Sequence, residues 1–521
     1  MEATIAAQCR PCTYSFNMHA PVTTDTHPAT TAASGGGKTL LLSAIVAALG
    51  SFLFGFDTVV VSGTNELVKS AFQLSDLMLG FTVSSLLIGT MLGSLLIGRP
   101  ADRWGRRPVL GVLAVLFVVA ALGCARAWNW HALIFFRWLG GVAVGGASVV
   151  CPIYITEIAP ARRRGLLVAV SQLNIVLGIL VATMSNYAVS RVLGADHPST
   201  WRWMFGVMTA PALAFMFTAL LIPESPRWLV KRGRRAEAEK ILARFGYDNP
   251  AQQGDEIQKS LAAEQSVQGH GFRDLVAVAL VAQVLALLVI GKINFFYILL
   301  GLGLLLLGFG KLVWDFPRKY LKPLLLACLI GAFNQFDGIN AVLYYAPSIF
   351  EMAGANKDDA LLQAVVIGLT NLVMTLVAMA LIDRVGRKAL LLVGSITFVM
   401  SHALAAWVFA THAQGWIVLA AMMGVVGSHA YSQGAVVWVI INELLPNAVR
   451  AAGSAIVCFL IWMLCAGISL SFPVVAAKSG AYAFGFFAVM MVVQFFVLLK
   501  VLPETKGVSL EELQRRLGVA D

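Results

Sequence analysis

The chain has 521 residues, of which 59% are apolar and only 12% charged, with a formal net charge of +11. Soluble domains carry about 45–50% apolar and about 25% charged residues, so this composition excludes a soluble enzyme, a disordered scaffold and a nucleic-acid-binding domain. The 47 glycines fit packed membrane helices, which use glycine more than soluble ones do.

Residues 1–37 are rich in Thr, Ala and Pro and read as a disordered tail without the apolar core of a signal peptide. Its Cys9 and Cys12 have CxxC spacing, but a lone pair without a second ligand pair is weak evidence for a metal, and no metal or cofactor is expected. Apolar runs follow at 40–63, 78–98, 108–126, 131–154, 166–190 and 201–222, forming a first unit over 38–222. Each is about the length needed to span a bilayer as a helix. Their continuity excludes a membrane β-barrel, whose strands alternate polar and apolar residues.

A polar stretch at 223–274 reads as linker helices. Two further runs, 275–291 and 293–313, form an insert over 275–316. Its first run has Gln283 as its one polar side chain and so no polar face for lying flat on the membrane. A membrane hairpin is expected; an insert that lies against the bundle without crossing is the alternative. Six more runs, at 321–346, 361–382, 388–411, 415–441, 451–475 and 481–502, make up 317–502, before a tail at 503–521. The expected fold class is an all-α integral membrane protein of two six-helix bundles.

Orientation follows from the basic residues. With the N-terminus inside, 30 of the 38 lysines and arginines fall in inner segments and seven in outer ones. The positive-inside rule therefore puts both termini in the cytoplasm and accounts for the net charge without nucleic acid.

The halves repeat each other. Asp102-Arg103-Trp104-Gly105-Arg106-Arg107 follows the second run, and Asp383-Arg384-Val385-Gly386-Arg387-Lys388 follows its counterpart 281 residues later. The segment from Glu157 to Arg164 closes the fourth run, and the segment from Glu443 to Arg450 closes its counterpart 286 residues later. Duplicated six-helix halves around a central site are a transporter architecture. Asp102, Arg103, Arg106, Glu157, Arg164, Asp383, Arg384, Arg387, Glu443 and Arg450 are expected to form a cytoplasmic gate, pairing between halves to hold the inner side closed and parting when it opens. Anchoring by positive charge alone is the competing view, but it needs neither the acids nor the fixed glycines.

Two ionisable residues lie deep in apolar runs: Asp57 in the first and Arg137 in the fourth. A charge at mid-membrane costs about 3 kcal/mol on insertion scales, so both are functional candidates, as a switchable pair that couples protonation to conformation. A structural ion pair is the alternative. Asp337 is a second acid, open to bonding the substrate, adding a titrating site or facing a wet cavity, and His429 reads as a packed, hydrogen-bonded histidine with titration near neutral pH as the alternative; neither is assigned a role.

Amides offer a donor and an acceptor without charge, the pairing that sugar hydroxyls need. Gln172, Asn334, Gln335, Asn340 and Asn371 lie in membrane runs, with Trp438 and Trp462 as candidate ring platforms. Gln335 and Asn340 are about 140° apart on an ideal helix, so both face one cavity only if the helix breaks between them, for which Gly338 is the natural place.

These motifs, with Phe54-Gly55-Phe56-Asp57-Thr58, Pro223-Glu224-Ser225-Pro226-Arg227, Pro503-Glu504-Thr505-Lys506-Gly507 and the stretch from Gln335 to Tyr345, resemble the sugar porter branch of the major facilitator superfamily over about 40–275 and 317–510. In detail the chain is closest to bacterial proton-coupled sugar symporters. The resemblance implies sugar contacts at Gln172, Gln335, Asn340, Asn371 and Trp438, an outer gate at Tyr344 beside Tyr345, and proton coupling at Asp57. Asn334 departs from the family's first glutamine. Glycine and alanine at 434 and 435 stand where many relatives have prolines, so a weaker bend is expected there. The implied protein is a monomeric, multi-pass importer of a monosaccharide with protons in a bacterial inner membrane. Its rivals are a facilitative uniporter, a sugar sensor and a drug exporter. Nothing resembles an ATP-binding loop or an enzyme's catalytic constellation.

Overall fold

The computed structural model describes residues 36–160, 164–264, 308–311, 313–413, 416–446 and 449–506, with positions 508, 512 and 515. The expected hairpin and the Cys9–Cys12 pair lie outside the described residues, apart from a short helical piece at 308–311. Among the described residues the membrane helices are α1 (Gly36–Val60), α2 (Asp76–Leu96), α3 (Arg106–Ala125), α4 (Trp130–Ile158) and α5 (Arg164–Leu193), then a divided α6 (Thr200–Val207 and Thr209–Ala219). The second half has a divided α7 (Leu321–Phe336 and Ile339–Met352), α8 (Lys357–Val385), α9 (Arg387–Thr411), a divided α10 (Trp416–Tyr431 and Gln433–Leu444), α11 (Arg450–Lys478) and α12 (Gly480–Val501).

The breaks have local causes. In α6, Pro211 has no N–H to give the Val207 carbonyl, and the helix restarts after Met208. In α7, Gly338 takes a φ of +75°, a left-handed conformation that costs other residues energy. The α10 break falls at Ser432, without any proline in the helix. Ser432 turns its hydroxyl back onto the Ser428 carbonyl, a contact that bends helices. At the end of the bundle opposite the arginine loops, Ser75, Asn129 and Asn356 cap α2, α4 and α8 by accepting from Met78, Ala132 and Asp359 N–H groups at 3.3, 2.8 and 2.9 Å.

Inside lipid, helices gain little from hydrophobicity and associate by close packing of small residues. α2 and α4 meet this way, with Gly89 and Gly93 set against Gly141 and Gly145; a Cβ on Gly141 would fall 2.0 Å from the Leu86 carbonyl oxygen. This contact fixes Arg137, one turn before Gly141, against α2. The linker helices Pro226–Lys231, Arg235–Arg244 and Pro250–Glu264 dock on the first half: Trp228 Nε1 donates to the Asp102 carbonyl at 2.8 Å, and Lys231 pairs with the Asp102 carboxylate at 3.2 Å.

Gly141→Val is expected to lower the thermal midpoint of the detergent-solubilised protein, since overpacking costs about 1–3 kcal/mol. Gly111→Ala, where an added Cβ meets nothing within 4 Å, is expected to leave it unchanged. Equal midpoints for the two variants would refute the close-packing account.

Candidate transport site

Asp57 on α1 and Arg137 on α4 face each other in the interior of the first half, their side chains 5% and 1% exposed. The contact is loose: Arg137 Nη1 lies 4.0 Å from Asp57 Oδ1. The guanidinium is held mainly by other groups, its Nε donating to the Thr82 carbonyl at 3.1 Å and its plane lying 5.6 Å from the Phe205 ring centroid. Asp57 Oδ2 and both terminal nitrogens of Arg137 have no hydrogen-bond partner among the described residues. A buried charge left partly unsatisfied is costly. Gly140 makes room for it, since a Cβ there would come 2.7 Å from Asp57 Oδ2. Thr82, Phe205 and Gly140 were not singled out in the sequence; only Gly140, one turn beyond Arg137, was within reach of such reasoning.

The broken α7 brings three amides together. Gln335 Nε2 donates to Asn334 Oδ1 at 2.9 Å, and Asn340 Nδ2 donates to Gln335 Oε1 at 2.8 Å. The left-handed turn at Gly338 resets the helix phase, so residues five apart join one chain of hydrogen bonds. Gln172 on α5 is half-buried and Asn371 on α8 is 5% exposed, but neither bonds to this chain. Trp462 on α11 packs against Phe54 of α1 with ring centroids 5.9 Å apart, bridging the halves. Trp438 on α10 is 37% exposed. Tyr344 and Tyr345 are buried; the Tyr344 carbonyl accepts from Asn65 Nδ2 at 2.8 Å, and the Tyr345 hydroxyl donates to the Ser469 carbonyl at 2.7 Å.

The arginine loops form two matching hubs, each inside one half. Arg106 makes a bidentate pair with Glu157 at 2.8 and 2.9 Å and reaches Asp102 at 3.1 Å. Its counterpart Arg387 lies 3.6 Å from Glu443. Gly105 and Gly386 both have a φ of +103°, which turns the following N–H groups onto a glutamate. Arg106 and Arg107 donate to Glu224 at 2.9 and 3.2 Å; Arg387 and Lys388 donate to Glu504 at 3.1 and 3.1 Å. Burial raises the Glu224 carboxyl above its ordinary value, and the backbone donors of Ser225, Arg106 and Arg107 oppose that rise. Glu224 and Glu504 were quoted in the family motifs without a role.

In this conformation Asp102, Glu157 and Glu443 pair inside their own half, which leaves the expected pairing between halves of a closed inner end untested. The Arg103 and Arg384 carbonyls accept from Arg232 and Lys506 at 3.0 and 2.7 Å, and Arg450 Nε donates to the Leu445 carbonyl at 3.1 Å. The side chains of Arg164 and Asp383 lie outside the described residues.

The halves are instead tied together toward the opposite end. Ser348 donates to Glu66 at 3.1 Å, Ser190 to Asp358 at 3.0 Å, Arg191 pairs with Asp358 at 3.6 Å, and Lys357 pairs with Asp196. The gap left there, lined by Ser62, Glu66, Ser348 and Glu351, is only ≈ 20 Å³. At the arginine-loop end a groove of ≈ 520 Å³ lies within the first half, between the end of α2 and the linker, lined by Arg99, Asp102, Arg103 and Lys231.

Two repeated six-helix halves, a closed end, broken helices and buried polar groups at mid-bundle define a secondary transporter of the major facilitator fold. The family of sugar (and other) transporters matches residues 43–302 and 308–517, and the chain belongs to it. It is therefore a sugar transporter and not an enzyme. It is 32% identical to the D-xylose-proton symporter of Escherichia coli (strain K12), over 90% of this chain and 94% of the relative. It is 31% identical to the arabinose-proton symporter of Bacillus subtilis (strain 168), over 91% and 94%. The inward-open conformation of the E. coli xylose transporter superposes with a TM-score of 0.75 at 30% identity, covering 92% of this chain and 99% of that one.

The double substitution Asp358→Asn with Lys357→Gln is expected to loosen the closed end. Exposed ion pairs are worth about 0.2–1 kcal/mol each, so the shift in population is several-fold. Spin labels at Val192 and Met352 read it as new long-distance density. An unchanged distance distribution would show that these pairs hold nothing closed.

Proposed function

We propose that this protein imports a monosaccharide, pentose or hexose, together with protons, by alternating access in a bacterial inner membrane. The observation that carries the reading is the loose Asp57–Arg137 contact: a carboxylate 5% exposed and an arginine 1% exposed, with unsatisfied atoms on both. A pair serving only structure would be expected to close up and satisfy those atoms. Protonated, Asp57 lets Arg137 go; ionised, it draws Arg137 back. Loading the proton from one side and releasing it on the other ties that change to the movement of the halves. The relatives named as proton symporters of xylose and arabinose support this reading.

The sugar is held by Gln335, Asn340 and Asn334 on α7, with Gln172, Asn371, Trp438 and Trp462 added as the halves close around it. Without sugar the α7 amides bond to one another, so ligand hydroxyls exchange with existing hydrogen bonds and the net gain per bond is modest, about 0.5–1.5 kcal/mol. Tyr344 and Tyr345 act at the outer gate. The arginine loops face the cytoplasm, as do both termini, and the ten gate residues close the inner end when the halves meet there, with Asp102, Arg106, Glu157, Arg387 and Glu443 leaving their pairing within halves.

The test is uptake into proteoliposomes with an imposed pH gradient and a panel of labelled pentoses and hexoses. Accumulation of one or a few sugars is expected. Asp57→Asn is expected to abolish accumulation yet retain counterflow exchange; undiminished accumulation in this variant would refute the coupling role, and equilibration of wild type without gradient dependence would select a uniporter. For the accumulated sugar, Asn340→Ala is expected to raise the half-saturation concentration about tenfold, the loss of about one well-made hydrogen bond. A half-saturation concentration like the wild type's would remove Asn340 from the site.

A further inference from the structure

Asp337 occupies the break in α7 and is 0% exposed. Its Oδ1 accepts from Ile339 N–H at 3.0 Å and so caps the second segment of α7. Its Oδ2 lies 2.7 Å from His429 Nδ1. His429 belongs to the first segment of α10, one turn before the break at Ser432, and its side chain keeps 18% exposure. One carboxylate–imidazole contact therefore joins the breaks of both discontinuous helices of the second half, beside the Asn334–Gln335–Asn340 chain of amides.

The surroundings fix this carboxylate tightly. His402 of α9 lies 2.8 Å from the Asp337 carbonyl through Nε2, and its ring stacks on Phe398 and Phe484 at 5.9 and 6.0 Å. Other titratable groups on the packed helices are Tyr431 of α10, Cys465 of α11 and Tyr344 and Tyr345 further along α7. Between residues 360 and 381 of α8 and between 480 and 499 of α12 there is no Asp, Glu, Lys, Arg or His. His402 meets the Asp337 backbone carbonyl, whereas His429 is the imidazole that meets the Asp337 carboxylate.

A carboxylate without solvent requires a proton or a cation. With one proton in the pair, both groups are satisfied, as carboxylate with imidazolium or as carboxylic acid with imidazole. Loss of that proton leaves a buried, unneutralised carboxylate, which is relieved only if the junction of α7 and α10 opens to water or to another donor. We propose that Asp337 and His429 form a second proton-binding site whose occupancy sets the geometry of the two broken helices and, through α7, the shape of the amide pocket. The proton enters and leaves at His429, the exposed member, and no other bond is made or broken. The site deepens the reading of a proton-coupled porter, and it is distinct from Asp57 in the other half.

The test uses the full chain in lipid nanodiscs without sugar. Nitrogen-15 NMR of the histidine rings is expected to show that the titration of His429 in wild type differs from that in Asp337→Asn. Hydrogen exchange of the segment 333–343, corrected for the intrinsic rate, is expected to change several-fold in wild type between about pH 5 and 8, the range where histidine titrates. That change is expected to vanish in His429→Gln and to persist in Asp57→Asn. Identical His429 titration in wild type and Asp337→Asn, or exchange in wild type that ignores pH, would overturn the proposal. If Asp337→Asn does not fold, the comparison of wild type with His429→Gln decides it alone. Since no transport is measured, failure here leaves the role of Asp57 standing, and failure of Asp57 in uptake leaves this site standing.

Discussion

An ionised side chain away from water must find a partner, and the architecture of this protein is organised around that requirement. At the arginine-loop end the requirement is met closely: Arg106 and Glu157, their side chains 9% and 8% exposed, form a bidentate pair at 2.8 and 2.9 Å. Such forked pairs are the strong, geometrically specific form of charge pairing. At mid-bundle it is met incompletely, by Asp57 and Arg137 at 4.0 Å. The tight hub fixes the ends of helices within one half; the loose pair is the contact to which the proposed function assigns the proton. The contrast between the two contacts is what separates a scaffold from an engine in the proposed mechanism.

The internal repeat is visible as chemistry as well as topology. Gly105 with Glu224 and Gly386 with Glu504 are the same device, a left-handed glycine that aims backbone N–H groups at a carboxylate. The halves diverge where function would require it. The first half holds its buried acid on an unbroken α1 with an arginine on α4, whereas the second holds Asp337 at a break with a histidine on α10. Closure toward one end by Asp358, Lys357 and Glu66, with pairing inside each half at the other, is the arrangement of one state in an alternating cycle.

Much of this was legible in the sequence. Continuous apolar runs give helices because the bilayer leaves backbone groups no other partner, and the duplicated loops give the two halves. Gly338 was readable as a break because Gln335 and Asn340 stand at the wrong phase of an intact helix. Asp57 and Arg137 stood out because charge is expensive at that depth. The α10 break was not legible, since Ser432 bends its helix through a hydroxyl contact that many serines in membrane helices do not make. Nor was the Asp337–His429 contact, which joins residues 92 apart through the folding of the whole second half. The pairing inside each half was not legible either, because residue types at helix ends define which charges are present, while the conformation of the halves decides which of them meet.

The central claim is that sugar and proton move together. Its most direct measurement uses wild-type protein in proteoliposomes with no imposed gradient, a pH-sensitive dye in the external medium, and addition of whichever pentose or hexose is taken up. The account predicts that sugar entry alkalinises the medium, in proportion to the sugar transported, and that a protonophore abolishes the signal without stopping exchange of the sugar. Sugar entry with no change in external pH would contradict it.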